Sequence, residues 1–446
     1  MVKEMACNAE ITEKTKKYSM LSWCVQNKTN PVPFEKGERI YLYDAEGNKW
    51  WDLCSSSVYV NVGHQHPKVV QAIKDQADTL TFAGPKASNS TKAECAKKII
   101  ELLPDKFGRV FFTNGGADAN ENAIKFARNY TGRYKIFSRY TSYHGATSGA
   151  ISLTGDPRRW ATEPYNMTGI MKFPSPYCYQ CPYKHDPADC NLACLDYFEQ
   201  TLIYENPYSV AAVLIETFTG TNGILPAPEG YLQKLRNICD KYGILLIFDE
   251  VMAGFGRSGY FFSFEHEGVL PDIITASKGL TSGYVPMGAV VLSNDVAAFF
   301  DDKMIQQGLT TYGHTLGAAA ASACIDVYKD EGLLENSKVM GEYAMERLNE
   351  LKDKYNCVGD IRGRGLFMGI ELVKDKSTHE PLCPFNGGPS PVDIFSKHVV
   401  KNKFFMMIHW NVVMFCPPLV INKEEIDHCI DVFEEGFKLL DAELAK

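Results

Sequence analysis

Three short apolar runs constrain this chain most: residues 210–216, 243–249 and 272–276. Each has the length of one buried strand and is too short for a core helix. A run that is apolar on both faces belongs inside a covered sheet, and such sheets are mostly parallel. A helical stretch, 230–242, separates the first two runs. The same alternation occurs upstream. A strand over 109–113 meets the turn Asn114-Gly115-Gly116-Ala117, followed by a helix to about Tyr130. Another strand, 135–138, runs into Tyr143-His144-Gly145. Strands alternating with helices predict an α/β fold, a mostly parallel sheet flanked by helices.

A chain of 446 residues is too long for one ordinary core, so a second, smaller domain is expected. The pattern places the large domain at 62–330. It assigns 1–61 and 331–446 to a small α/β domain built from both termini. Residues 39–53 read as a hairpin across Glu46-Gly47-Asn48. Residues 67–80 and 92–103 read as helices, the first opened by Pro67. A helix over 315–329 closes the large unit. An amphipathic helix over 333–356 follows, then strand-like 365–373 and 412–416.

A net charge of −8 without a long basic run excludes nucleic acid or an anionic membrane as the main partner. No apolar run reaches membrane-spanning length, and residues 1–10 carry no leader pattern, so a cytoplasmic location is expected. Fourteen cysteines then read as reduced thiols. Four of them stand apart as C-x2-C-x8-C-x3-C: Cys178, Cys181, Cys190 and Cys194. Such spacing suits a zinc or iron–sulfur centre, but also a Pro- and Tyr-rich surface loop with free thiols. No metal is assigned.

Polar residues at the strand ends carry the candidate chemistry. Asp249 ends its strand at the edge where open sheets bind ligands. A metal ligand or a helix cap would look the same. Glu250 beside it makes a Walker-B-like pair, but the chain has no G-x-x-x-x-G-K-[ST] loop. Gly254-Phe255-Gly256-Arg257-Ser258-Gly259 is a literal G-x-G-x-x-G, yet no periodic helix follows it, so a dinucleotide site is rejected. The turn 114–117 opens a helix and suits a phosphate, or is a plain Gly-rich turn. Tyr143 can stack on a flat ring, although a loop tyrosine needs no such role. Lys278 lies just past the third apolar run, flanked by Ser277 and Gly279. It either caps a helix at the surface or sits desolvated as a nucleophile. Lysine paired with a strand-end aspartate suggests pyridoxal 5′-phosphate (PLP), carried on the lysine with an acid at the pyridine nitrogen.

Taken together, these residues resemble the class III aminotransferases of the fold-type I PLP enzymes. The resemblance runs from Trp51-Asp52 and Val62-Gly63-His64 to Pro417-Pro418-Leu419. Its most specific parts are Asp249 through Gly259 and Ser277-Lys278-Gly279. It implies that Lys278 bonds the cofactor and Asp249 pairs with the ring nitrogen. Val251 and Tyr143 would flank the ring, and Gly116 and Ala117 would hold the phosphate. Glu216 matches the family's active-site glutamate. Thr310 matches a threonine donated by a neighbouring subunit, implying a homodimer or higher oligomer with shared sites.

The expected partners are a small amine and a 2-oxo acid, 2-oxoglutarate or pyruvate. The stretch Leu153 to Trp160 resembles the ω-amino-acid branch, and Trp410-Asn411 before Pro417-Pro418 is most similar to taurine enzymes; β-alanine and 4-aminobutyrate are the other donors. Where many relatives carry an acid-binding arginine, this chain has His409, so Arg158 or Arg159 beside Trp160 becomes the candidate for that group. Ser57, Val58 and Tyr59 match pocket positions. A PLP-dependent racemase, epimerase or aminomutase uses the same fold, and a non-catalytic binding protein is the alternative of another class.

Overall fold

The computed structural model describes residues 7–446. The assignment of residues 1–6 to a small domain, and their reading as free of a leader, lie outside the described residues. Three sheets organise the chain. The largest has seven strands in the order Phe107–Thr113, Gly288–Ser293, Ile273–Ala276, Leu245–Asp249, Val210–Glu216, Lys135–Arg139, Ile170–Phe173. The five strands from Ile273–Ala276 to Ile170–Phe173 pair in parallel. Gly288–Ser293 runs against both of its neighbours. The fold is therefore the expected α/β class with a mostly parallel sheet, containing one reversed strand.

The central strand Val210–Glu216 is buried at every residue. That is why it reads as a continuous apolar run rather than an alternating one. Helices cover the sheet, and Gly116–Thr131 packs Ala119, Ala123, Ile124, Phe126 and Ala127 into the core. Gly132 ends this helix at φ 68°, a left-handed cap that a residue with a Cβ would adopt only with strain.

Residues from both ends of the chain build the other two main sheets. Phe34–Glu38, Tyr41–Asp44 and Lys49–Asp52 form an antiparallel set that Phe404–Phe405 joins in parallel. The expected hairpin turn lies between Tyr41–Asp44 and Lys49–Asp52. Val358–Arg364, Phe367–Asp375, Val412–Phe415 and Met407–His409 make the third sheet, with Glu380–Pro381 paired onto Phe367–Asp375.

One buried side chain ties the parts together. Arg257, from the rejected glycine motif, donates to Leu366 O (3.0 Å), Pro417 O (2.5 Å), Ser55 Oγ (3.0 Å) and Asn61 Oδ1 (2.6 Å). Its segment is a tight turn, not a dinucleotide loop: Gly256 N–H bonds Tyr260 O at 2.9 Å. Among the described residues, no helix is long and apolar enough to cross a membrane.

Candidate active site

Parallel pairing sets Asp249 in register with Glu216 on one side and Thr275 on the other. The first two apolar runs end in acids, Glu216 and Asp249, and aligned strands bring those ends level at one edge of the sheet. A cavity of about 640 Å³ opens there. Gly116, Ala117, Tyr143, Glu216, Asp249, Val251 and Lys278 all line it, as does Tyr59.

Lys278 lies two residues beyond the Ile273–Ala276 strand at φ 39°, a left-handed conformation unfavourable for a residue with a Cβ. Such outliers persist where surrounding structure holds them, often at functional sites. Burial pulls its ammonium down to about 8, against the opposing pull of Asp249 and Glu216. Glu216 is pushed up to about 8, first by burial and then by the charge on Asp249. Its oxygens accept from Gly220 N at 3.1 Å and Tyr143 N at 3.4 Å.

Asp249 is held by three donors: His144 Nδ1 (2.7 Å) and Asn120 Nδ2 (2.8 Å) on Oδ2, and Val251 N (3.0 Å) on Oδ1. Thr275 Oγ1 in turn donates to Asn120 Oδ1 at 2.8 Å. Burial lowers the His144 pKa against the opposing pull of Asp249, whose carboxylate its Nδ1 faces. Its Nε2 is buried and has no hydrogen-bond partner. Glu250 points elsewhere, bonded to Thr217 Oγ1 and the Ser263 and Phe264 amides.

These residues fit PLP. The N-terminus of Gly116–Thr131 offers amide donors and partial positive charge for a phosphate. Gly116 keeps that end open: a Cβ there would meet Val251 Cγ1 at 2.7 Å. Asp249 suits a protonated ring nitrogen, Tyr143 a ring face, and a lysine amine the aldehyde carbon.

The two candidate arginines have different surroundings. Arg158 turns to the site. Its Nε donates to both oxygens of the buried Asp156, and its Nη2 bonds Asp156 Oδ2 and Thr221 Oγ1, the latter at 3.0 Å. The guanidinium carbon stands 3.8 Å from the centroid of the Tyr143 ring. Arg159 instead pairs with Glu163 and donates to Gly155 O. Trp160 is half exposed, its ring against Phe385. None of Arg158, Arg159, Trp160 and His409 lines the cavity; Arg158 reaches its wall through Tyr143 and Thr221, which do.

The His409 ring lies 4.2 Å from that of Trp410, tilted by 32°, with Nε2 buried and unpartnered. Burial, then the nearby Arg158 charge, pulls its pKa down to about 4. Thr310 is exposed and does not line its own chain's cavity; its neighbour Thr311 reaches Asn114 Oδ1 at 3.1 Å.

The cavity wall at 55–60 has unusual backbone. Ser55, Ser56, Ser57 and Val58 all have φ between 46° and 76°. A left-handed turn costs about 1–2 kcal/mol per residue. Asp52 holds it by accepting from Ser56 N and Ser56 Oγ, and Ser55 Oγ donates to Cys416 O. Ser56 and Tyr59 line the cavity, whereas Val58 is buried with Phe218 and Met252.

Sequence reasoning missed Asn120, His144 and Thr275 as partners in the Asp249 network. It also missed Trp23, whose ring meets Tyr143 edge-on at 6.3 Å. Strand-end spacing signals none of them. His144 stands in a quoted motif but lies 105 residues from Asp249.

A family model described as Aminotransferase class-III matches residues 24–437. The chain is 32% identical over 445 residues to the taurine–pyruvate aminotransferase of Bilophila wadsworthia, covering 96% of this chain and 97% of that one. It is 34% identical to a leucine/methionine racemase of Thermococcus litoralis, over 91% and 90% of the two chains. A solved taurine:2-oxoglutarate aminotransferase from Bifidobacterium kashiwanohense, in complex with PLP and glutamate, superposes with a TM-score of 0.95. The two are 39% identical, covering 99% of this chain and 100% of that one.

Proposed function

The chain belongs to the class-III aminotransferase family, and from that premise we propose that it moves the amino group of taurine, or a similarly short ω-amino acid, onto a 2-oxo acid. It is a PLP-dependent aminotransferase. The finer reading concerns substrate and residue roles, and the fixed position of Arg158 carries it. Asp156 and Thr221 hold two of its nitrogens, leaving Nη1 without a protein partner among the described residues. A planar cation fixed in this way suits a sulfonate or carboxylate at the far end of a short amine. His409, neutral and with a free Nε2, supplies a second polar contact for the acid group.

When bound, PLP supplies an electron sink for the charge left on the donor's amine-bearing carbon. Lys278 Nζ takes and returns the proton at that carbon; with its pKa near 8 it holds a useful share of free amine near neutrality. Asp249, oriented by His144 and Asn120, keeps a proton on the ring nitrogen. Gly116 and Ala117 amides bind the phosphate, and Tyr143 and Val251 confine the ring. Glu216, carrying a proton below about 8, adds no charge to repel an incoming acid.

The large domain is assigned to 62–330, with 1–61 and 331–446 forming the small one; the separate sheets built from both ends support this division. A homodimer sharing its sites is supported by the exposed apolar side chains Met304 and Leu309 in the segment that carries Thr310. The cytosol is the proposed location, on the strength of the cysteine-rich composition.

Nitrogen tracking tests the reading. With [15N]taurine, the label should appear in glutamate from 2-oxoglutarate or in alanine from pyruvate. Label retained on the donor with both acceptors overturns it. The resemblance to a racemase favours a second outcome: a chiral amino acid losing optical activity while its nitrogen stays in place.

A further inference from the structure

Arg158 depends on a turn for its position. Thr221 lines the active-site cavity, and its Oγ1 accepts from Arg158 Nη2 at 3.0 Å. The next residue, Asn222, donates from Nδ2 to Asp156 Oδ2 at 3.3 Å. That same carboxylate oxygen accepts from Arg158 Nε at 2.9 Å. Thr221 and Asn222 sit in a tight turn, in which the Gly223 and Ile224 amides both donate to Gly220 O, at 3.2 and 3.0 Å. A shift of this turn would therefore disturb both acceptors of the Arg158 guanidinium together.

One side chain from the C-terminal part of the chain pins the turn. Arg362, on Val358–Arg364, donates from Nε to Gly223 O at 2.8 Å. Its Nη1 donates to Asp360 Oδ2 at 3.0 Å and Glu371 Oε2 at 2.5 Å. Glu371 is itself fixed, accepting from Tyr177 OH and from Asn411 Nδ2. The side chains of Arg362 and Glu371 are only 10% and 3% exposed, so the pair is not a surface contact that solvent screens. Gly223 has φ 121°, and a Cβ there would meet Arg362 Nη2 at 3.1 Å. A glycine lets the guanidinium lie against the turn. A rigid fork can serve a carbonyl and two carboxylates at once, which a single ammonium on a flexible stem does poorly.

We propose that Arg362 is a positioning residue that sets the preference for acid-bearing amines. By pinning Gly223 it keeps Thr221 and Asn222 where they hold Arg158 and Asp156. Arg362 stands outside the active-site cavity and acts only through that turn. The proposal rests on the reading of Arg158 as the acid-binding group. A merely structural role would lower the rates of all amines alike, whereas a positioning role separates amines with an acid group from those without one.

The test uses the holoenzyme and follows loss of the cofactor's visible band without acceptor, with taurine and with ethylamine. Arg362→Lys keeps a cation beside Glu371 but gives up the Nε bond to Gly223 O. The ratio of kcat/KM for taurine to that for ethylamine should fall about three- to tenfold, the effect of losing one neutral hydrogen bond. The change should appear in KM for taurine, with ethylamine turnover and PLP content close to wild type. In an Arg158→Met background the same substitution should lower the ratio no further. If Arg362→Lys does not fold, Arg362→Met/Glu371→Gln removes both charges, so neither is left buried alone, and should show the same loss. An unchanged ratio in Arg362→Lys beside a lowered one in Arg158→Met overturns the proposal and leaves the Arg158 reading standing. An unchanged ratio in Arg158→Met overturns that reading and the proposal with it. An equal fall for both amines in Arg362→Lys makes the residue structural only and overturns the proposal, as does a further fall in the Arg158→Met background.

Discussion

The two sides of the active site are built differently. At the cofactor end, Asp249 has three donors and Asn120 is fixed in turn by Thr275. On the proposed substrate side, behind the cavity wall, one guanidinium is pinned by Asp156 and Thr221, and a buried His409 nitrogen has no partner. The first is a network that satisfies Asp249 and positions a permanent group, although His144 Nε2 is buried in it without a partner. The second leaves polar atoms free for a ligand that enters and leaves. Unpaired buried polar atoms are costly, and they are tolerated where a ligand completes them.

Lys278→Ala attacks the cofactor end most directly. It removes both the covalent attachment and the proton carrier, so turnover should fall by about 10³-fold or more. Mass spectrometry of borohydride-treated protein should show no PLP adduct. An adduct at wild-type level would place the attachment elsewhere. His144→Phe deletes one charge-assisted hydrogen bond to Asp249, worth about 1.5–3 kcal/mol. PLP affinity, measured by fluorescence titration of apoenzyme, should weaken about ten- to a hundredfold. Unchanged affinity would mean that Asp249 needs no orienting partner.

The depressed Lys278 pKa gives a pH signature. Capture of PLP by apoenzyme requires the free amine, so its rate should rise about tenfold per pH unit towards about 8, then level off. Stability carries the same sign. The unfolded lysine keeps its proton to about 10.5 and the folded one releases it near 8, so this group's contribution to apoenzyme stability rises between those values. Glu216 acts oppositely: the folded form keeps its proton to about 8, the unfolded one only to about 4.5, so its contribution falls across that window. A capture rate flat from pH 6 to 9 would contradict the lysine's assigned environment.

Smaller effects sharpen the contrast. Arg159→Ala, which removes an ion pair with the half-exposed Glu163 and a bond to Gly155 O, should change the Michaelis constant for taurine less than about twofold, since both contacts lie outside the cavity and a partly exposed pair contributes little. Ser57→Gly relieves one left-handed residue, at φ 76°. The gain in folding free energy by urea titration should stay within about 1 kcal/mol, because glycine's freer unfolded chain offsets part of it.

The sequence was informative where local order decides position. Asp249, Glu216 and Lys278 end or follow apolar runs, and parallel pairing needs no other cue to bring them together. The helices 67–80, 315–329 and 333–356 are found at Pro67–Thr79, Thr315–Asp330 and Leu333–Lys354, since apolar periodicity marks them directly. The reversed strand Gly288–Ser293 was not anticipated. An apolar run carries no sign of its direction in a sheet, and this one follows the irregular Pro286 turn. Asn120 and His144 were illegible as partners of Asp249 because side chains 129 and 105 residues away meet it only after folding. The left-handed turn at Ser55–Val58 is equally hidden: serine has no preference for that conformation, and Asp52 supplies the reason for it only in three dimensions.

Arg158 is the link on which the substrate reading depends. The direct measurement is the amine half-reaction of wild type and Arg158→Met, followed by loss of the cofactor's visible band without acceptor. Two amines are compared: taurine, and ethylamine, which lacks the acid group. Losing a charge-assisted hydrogen bond of about 1.5–3 kcal/mol predicts a ten- to hundredfold fall in kcat/KM for taurine, with ethylamine nearly unchanged. An equal fall for both amines, or none for taurine, would contradict the account.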